Sequence, residues 1–185
     1  MGSVVMEEFP VRPLRSARLN KRRIKLGLAI FYALAIPAFI IIGLQPADIS
    51  AEVRATEAAQ AEEYLTISSL NFGTPVRRIE LVRNTLNTPE YIAGAYHAYT
   101  NKTLIIGHML TVFEDLHKID LNARIDYEDG TYLVTEVKTL KKEDISMSEV
   151  LKDEDEPTII IMTCAGEPLS GLDYTHRLIV TAKRI

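Results

Sequence analysis

The chain has 185 residues, 47% of them hydrophobic, enough to bury the core of one ordinary domain and carry a further segment, so wholesale disorder is excluded. The formal net charge of −4 hides a division: residues 1–25 hold seven Lys/Arg against two Glu, whereas residues 26–185 hold 14 basic and 23 acidic side chains. An acidic body argues against a nucleic-acid partner. A single cysteine excludes an intrachain disulfide and a Cys-rich zinc site.

Residues 26–47 carry no charge, and the first 19 of them, LGLAIFYALAIPAFIIIGL, would form a helix of about 28 Å, long enough to cross the hydrocarbon core of a bilayer. Pro37 inside the run is tolerated in membrane helices. Arg12, Arg15, Arg18, Lys21, Arg22, Arg23 and Lys25 precede the run, whereas Asp48 and Glu52 open its far flank. By the positive-inside rule the basic tail 1–25 is cytoplasmic, 26–44 is a transmembrane signal-anchor, and everything after it lies outside the cell membrane. A cleaved signal peptide is the rival reading of the small residues at Ala47 and Ala51, but signal h-regions usually run 7–15 residues, shorter than this one. Residues 45–63 are polar and helix-prone without a wide apolar stripe, which reads as an extracytoplasmic stalk.

After Tyr64 the texture changes to short runs, many of them rich in β-branched residues: YLTISSL, TPVRRIELV, TLIIG, ARIDY, TYLVTEVKTL, TIIIMT and HRLIVTAKRI. So many strands in residues 64–185 predict a mainly β domain, a closed or nearly closed barrel. Asp129-Gly130 signals a hairpin. Two helical insertions are expected. MLTVFEDLHKI places Val112, Phe113, Leu116 and Ile119 on one face, and Ser146 with Glu149 has the form of a capping box.

Cys164 follows the apolar strand TIIIMT and precedes Ala165-Gly166, so its thiol should emerge where a strand meets a loop. Taken alone, a free cysteine behaves as a small buried hydrophobe; a nucleophilic one needs a base or a cation nearby. His108 follows TLIIG at a strand-to-helix junction and is the candidate base, with His97, His117 and His176 as competitors. His176 and Arg177 are strand neighbours and so cannot both face one site. The charge of Arg177, fixed at physiological pH, suits a substrate or a developing oxyanion. The acidic stretch 152–156 reads as a solvated turn rather than a calcium site, and neither a Gly-rich phosphate loop nor a Gly-x-Ser-x-Gly elbow is present.

In order, these pieces resemble the sortases, membrane-anchored cysteine transpeptidases. The resemblance rests on the basic tail and signal-anchor, on YLTISSLNFGTPVRRIEL as an opening strand pair, and on LIIGHMLTVFEDLHKI as a strand, Gly-His and helix. It rests equally on TIIIMTC, with its Thr-Cys pair, and on THRLIVTA, with Arg177 13 residues after Cys164. Ile160 and Ile161 stand where the signature has Thr-Leu, Met109 follows the histidine where many relatives have Arg, and Asn122-Ala123 replaces a common Gly-Asp turn, so the subclass stays open.

The resemblance implies a sortase-like barrel in which Cys164 attacks the Thr–Gly carbonyl of a Leu-Pro-x-Thr-Gly-like sorting signal. His108 would carry the proton and Arg177 would hold the oxyanion. Thr163, beside the nucleophile, would contribute to the oxyanion hole through its backbone or serve simply as a strand residue, and Leu140, Ile145, Met147, Val150 and Leu151 would wall the peptide groove. Neither a cofactor nor a metal is expected. The implied partners are surface proteins or pilins bearing the signal and an amine acceptor such as a peptidoglycan precursor or a pilin lysine. A tethered binding module without chemistry and an extracytoplasmic cysteine peptidase are the alternatives from other classes.

Overall fold

A computed structural model describes residues 49–169 and 173–185. The basic tail, the apolar run 26–44 and residues 45–48 of the expected stalk lie outside the described residues. Among those described, no helix is long and apolar enough to cross a membrane.

Ten strands follow one helix, α1 (Ile49–Ala59): β1 (Glu63–Ile67), β2 (Phe72–Arg78), β3 (Leu81–Val82), β4 (Thr85–Leu86), β5 (Ala93–Tyr99), β6 (Lys102–Ile106), β7 (Arg124–Tyr127), β8 (Gly130–Lys141), β9 (Thr158–Pro168) and β10 (Tyr174–Arg184). Eight of them close a barrel in the order β1-β2-β5-β6-β9-β10-β8-β7. The β2–β5 and β6–β9 pairs are parallel and the rest antiparallel. Closure leaves no free edge. Leu65, Ile67, Val76, Ile105, Ile125, Tyr127, Ile159, Ile161 and Val180 fill the interior, each fully or almost fully buried.

The pattern reading located seven of the eight barrel strands and missed β5 and some details for identifiable reasons. TPVRRIELV reads as one strand, but β2 stops at Arg78, and Leu81–Val82 pairs instead with Thr85–Leu86 in a separate ribbon. Arg83 and Asn84, at φ +48° and +62°, make its turn. Strand β5, AGAYHAY, has no β-branched residue, and its two tyrosines stand among alanines and a glycine, so its propensity signal is weak. The hairpin between β7 and β8 forms, but its turn is Glu128-Asp129; Gly130 already pairs with Tyr127. Asn122 adopts the left-handed conformation, φ +64°, that its side chain tolerates.

The expected helix over MLTVFEDLHKI does not form. Its only regular piece is a 3₁₀ turn, Leu116–Lys118, closed by bonds from Leu116 N–H to Phe113 O, Lys118 N–H to Asp115 O and Ile119 N–H to Leu116 O. Phe113, Leu116 and Ile119 are three residues apart, the period of a 3₁₀ turn, and with Val112 they are buried against the barrel. The apolar face was read correctly and its period was not. The second insertion shrinks to one turn, α2 (Met147–Val150); Ser146 Oγ meets Ser148 Oγ at 2.8 Å and caps nothing.

Helix α1 occupies the stretch read as a stalk. It buries no residue, yet it is tied to the barrel side. The Glu57 carboxylate accepts the backbone N–H groups of Glu90 (3.0 Å) and Tyr91 (2.8 Å), and the Arg54 guanidinium lies 5.3 Å from the Tyr91 ring centre. Just after the helix, Gln60 Oε1 accepts from Arg77 at 2.7 Å.

Ile161 lies at the middle of the interior, paired with Val180 on one side and Ile105 on the other. Ile161→Ala should cost about 2–5 kcal/mol of stability. Urea unfolding of a fragment of residues 47–185 measures this, and a loss under about 1 kcal/mol would contradict the packing described.

Candidate active site

Alternation along a strand sends every second side chain outward. On β9 the interior takes Ile159, Ile161 and Thr163, leaving Ile160, Met162 and Cys164 on the outer face; on β6 the outer pair is Leu104 and Ile106, and on β10 it is Arg177 and Ile179. This outer face is apolar because residues 145–151 cover it: Leu104, Ile160, Met162 and Ile179 form a second buried cluster against Ile145, Val150 and Leu151. A parallel pair covered on both faces accounts for the uninterrupted run TIIIMT.

Cys164 and Arg177 are directly opposed in the β9–β10 ladder. Contrary to the expectation that the strand ends at Cys164, β9 continues to Pro168, so the thiol sits within the ladder. His108 follows β6 after Gly107, and all three side chains line one cavity of about 310 Å³ together with Leu104, Ile106 and Met147. The turn that presents His108 is fixed by its neighbours. The His108 carbonyl accepts the N–H groups of Val112 and Phe113, both at 3.0 Å. A Cβ on Gly107 would meet the Phe113 ring at 2.7 Å, so only glycine fits. Thr163 points inward, is buried, and donates its hydroxyl to the Gly107 carbonyl at 2.8 Å. It thereby ties the strand of Cys164 to the turn of His108.

The sequence reading did not single out Asp173. Its carboxylate accepts Arg177 Nη2 at 2.8 Å and Lys142 Nζ at 2.6 Å, and these two cations hold its pKa well below the usual carboxylate range. Arg177 Nη1 also donates to the carbonyls of Tyr174 (2.9 Å) and His176 (2.8 Å). The guanidinium is thus held beside Cys164 by residues 173–176. Burial pushes the Cys164 thiol up; Arg177 and Lys142 pull it down, and Asp173 raises it. Cys164 forms no disulfide.

Of the five residues expected to wall a groove, Met147 lines the cavity. Ile145, Val150 and Leu151 pack against Leu104, Ile160, Met162 and Ile179, and Leu140, 37% exposed, lies on β8 opposite Arg177. The competing histidines lie elsewhere. His176 lines a separate cavity with Gly166 and Glu167, as the alternation argument required. His117 bonds the Glu114 carbonyl on the surface, and His97 meets Thr103 and Glu128.

The wall segment is pinned at its far end. Lys102 is only 3% exposed and donates to Glu154 Oε1 at 3.2 Å, while Asn101 Nδ2 donates to the Glu154 carbonyl at 3.1 Å. Lys183 approaches Glu154 and Glu156 at 4.0 and 3.7 Å. These acidic side chains therefore face lysines. Glu154→Gln leaves a buried ammonium without its counter-charge and should cost on the order of 1–3 kcal/mol, more than Lys102→Met, which removes the need for the pair. Thermal unfolding of the two variants checks the order; equal or reversed losses would contradict it.

A family model described as the sortase domain matches residues 65–185. No curated protein matches the chain in sequence. Among solved structures, the lid mutant of sortase A from Corynebacterium diphtheriae is 22% identical, covering 66% of this chain and 69% of its own, with a TM-score of 0.52. Sortase A of Listeria monocytogenes is 16% identical over 68% of this chain and 88% of its own, TM-score 0.53. Sortase C1 from Streptococcus agalactiae is 20% identical over 68% of each chain, TM-score 0.51. At these identities the likeness is one of fold, and it extends to both A-class and C-class sortases. The match of the family model across the whole barrel, from β1 to the last strand, makes this chain a member of the sortase family, the cysteine transpeptidases.

Proposed function

We propose that this sortase cleaves a Leu-Pro-x-Thr-Gly-like signal between Thr and Gly and transfers the acyl group to an amine, with Cys164, His108 and Arg177 as the catalytic residues. The observation that carries the reading is the register that opposes Cys164 to Arg177 while His108 lines the same cavity. In this reading the Cys164 thiolate attacks the carbonyl carbon and a C–S bond forms. The oxyanion is held by the Arg177 guanidinium. As the tetrahedral intermediate collapses, the C–N bond breaks and His108, as imidazolium, gives its proton to the departing glycyl amine. An incoming amine then attacks the thioester, His108 takes its proton, and Cys164 is released as the thiolate.

The apolar lining supports a signal with a leucine and a proline: Leu86, Leu104, Ile106, Met147 and Met162 face the cavity beside Cys164. Thr163 serves as a positioning residue through its bond to Gly107. The partners in this reading are surface proteins or pilins bearing the signal, with a peptidoglycan precursor or a pilin lysine as acceptor. The charge asymmetry about residues 26–44 supports a cell-membrane protein with residues 1–25 cytoplasmic, a transmembrane signal-anchor, a connecting stretch 45–63 and the catalytic domain 64–185 outside.

Mass spectrometry of the protein incubated with signal peptides and an amine should reveal a thioacyl adduct at Cys164. Cys164→Ala should abolish turnover with the barrel intact. His108→Ala should lose about 10²–10⁴-fold in rate, with His117→Ala near neutral. Arg177→Lys should rescue poorly because an ammonium lacks the planar fork. Rates above about a tenth of wild type in both His108→Ala and Arg177→Ala would end the assignment, since that is under about 1.4 kcal/mol.

The charge balance gives an independent check on the thiol. Because Asp173 raises the thiol's pKa and Arg177 lowers it, Asp173→Asn should move the pH midpoint of Cys164 alkylation down and Arg177→Ala should move it up. The same direction in both variants would contradict the arrangement. Thiolate and imidazolium must coexist for the first attack, so the rate of turnover should be bell-shaped in pH, both limbs belonging to the coupled pair.

A further inference from the structure

At the opposite end of the β5–β6 hairpin from His108, three side chains from separate parts of the chain converge: Glu63 at the start of β1, His97 on β5 and Glu128 in the turn after β7. One ligand-type atom from each lies within 4.8 Å of the other two. The Nε2 atom of His97 is buried and has no hydrogen-bond partner among the described residues. Its nearest carboxylate oxygen, Glu128 Oε1, is at 3.7 Å, too far for a hydrogen bond. That separation is close to the edge, about 3.3 Å, of a tetrahedron whose ligands sit about 2.0 Å from a central ion.

The surroundings are those of a ligand set. His97 Nδ1 meets Thr103 Oγ1 at 3.1 Å; in the tautomer that donates from Nδ1–H, the lone pair lies on Nε2, on the side of the two carboxylates. Glu63 accepts the Tyr127 hydroxyl, which orients it, and Arg78 approaches its other oxygen at 3.8 Å from an exposed position. One guanidinium does not balance two carboxylates. The Glu63, His97 and Glu128 side chains are 17%, 28% and 39% exposed, so an ion can enter from solvent and keep a water.

We infer that Glu63, His97 and Glu128 form a divalent transition-metal site, with Zn²⁺ the best fit, which clamps β1, β5 and the β7–β8 turn at the rim remote from Cys164. One imidazole with two carboxylates suits Zn²⁺, and a nitrogen ligand in so small a set is foreign to Ca²⁺, which takes six to eight oxygens.

The test uses the full chain in detergent, carrying Cys164→Ala so that no thiol competes, and stripped of metal by a chelator. Zn²⁺ titration by calorimetry should give about one equivalent bound, with Ca²⁺ producing no heat at the same concentration. His97→Ala and Glu128→Gln should each weaken Zn²⁺ binding by roughly tenfold or more. Glu128→Gln is isosteric at an exposed turn and decides the matter if His97→Ala fails to fold. Co²⁺ in place of Zn²⁺ should give visible bands of a four-coordinate nitrogen and oxygen set, lost in the same variants. Absence of Zn²⁺ binding, or binding that Glu128→Gln leaves unchanged, overturns the inference.

Discussion

The antiparallel register between β9 and β10 is the constraint on which the site depends. It opposes Cys164 to Arg177, Thr163 to Leu178 and Met162 to Ile179, and alternation then assigns Cys164 and Arg177 to the outer face and Thr163 and Leu178 to the interior. A slip of one residue on β10 would send Arg177 into the core and Leu178 to the outer face, and one on β9 would turn Cys164 inward and away from Arg177. The register is therefore held by the burial of Ile159, Ile161, Leu178 and Val180 as much as by the ladder bonds. On the other side β9 runs parallel to β6, opposing Met162 to Ile106, and the His108 turn begins two residues later. The hydroxyl of Thr163 locks the two strands together from within.

Around this frame the charges are arranged in opposition. Arg177 stands next to the thiol, but Asp173 stands next to Arg177 and Lys142 next to Asp173. Burial weighs most at Cys164, and with these charges largely opposing one another the thiol is pushed up rather than down. A cation fixed beside a sulfur does not by itself yield a thiolate when a carboxylate is bonded to that cation. The same Asp173 joins the start of β10 to the segment after β8 through Lys142, so the charge balance at Cys164 and the anchoring of that segment share one side chain.

Two side-chain clusters occupy opposite ends of the barrel. At one, His108, Cys164 and Arg177 share a cavity roofed in part by Met147, while Lys102 and Glu154 pin the far end of the segment that carries it. At the other, Glu63, His97 and Glu128 gather from three elements. The two ends are joined by the same strands, β5 and β6, so a clamp at one rim stiffens the scaffold that presents His108 at the other.

The sequence by itself determined the β class, most strands, and the three residues that meet in the cavity, because these are local: apolar alternation marks strands, and the order Gly-His, Thr-Cys and Arg sits on recognisable runs. It also determined that His176 and Arg177 part company, which follows from the two-residue period alone. The period of the 109–119 segment was decided by its packing on the barrel. Phe113, Leu116 and Ile119 are spaced for a 3₁₀ turn as well as for a helix face, and nothing local separates the two. Asp173, the Lys102–Glu154 pair and the Glu63–His97–Glu128 cluster were decided by tertiary structure, for a single reason. Lys142 reaches Asp173, Glu154 reaches Lys102, and Glu63, His97 and Glu128 gather from segments far apart in the chain that only the folded barrel brings together, and no spacing along the chain encodes such meetings.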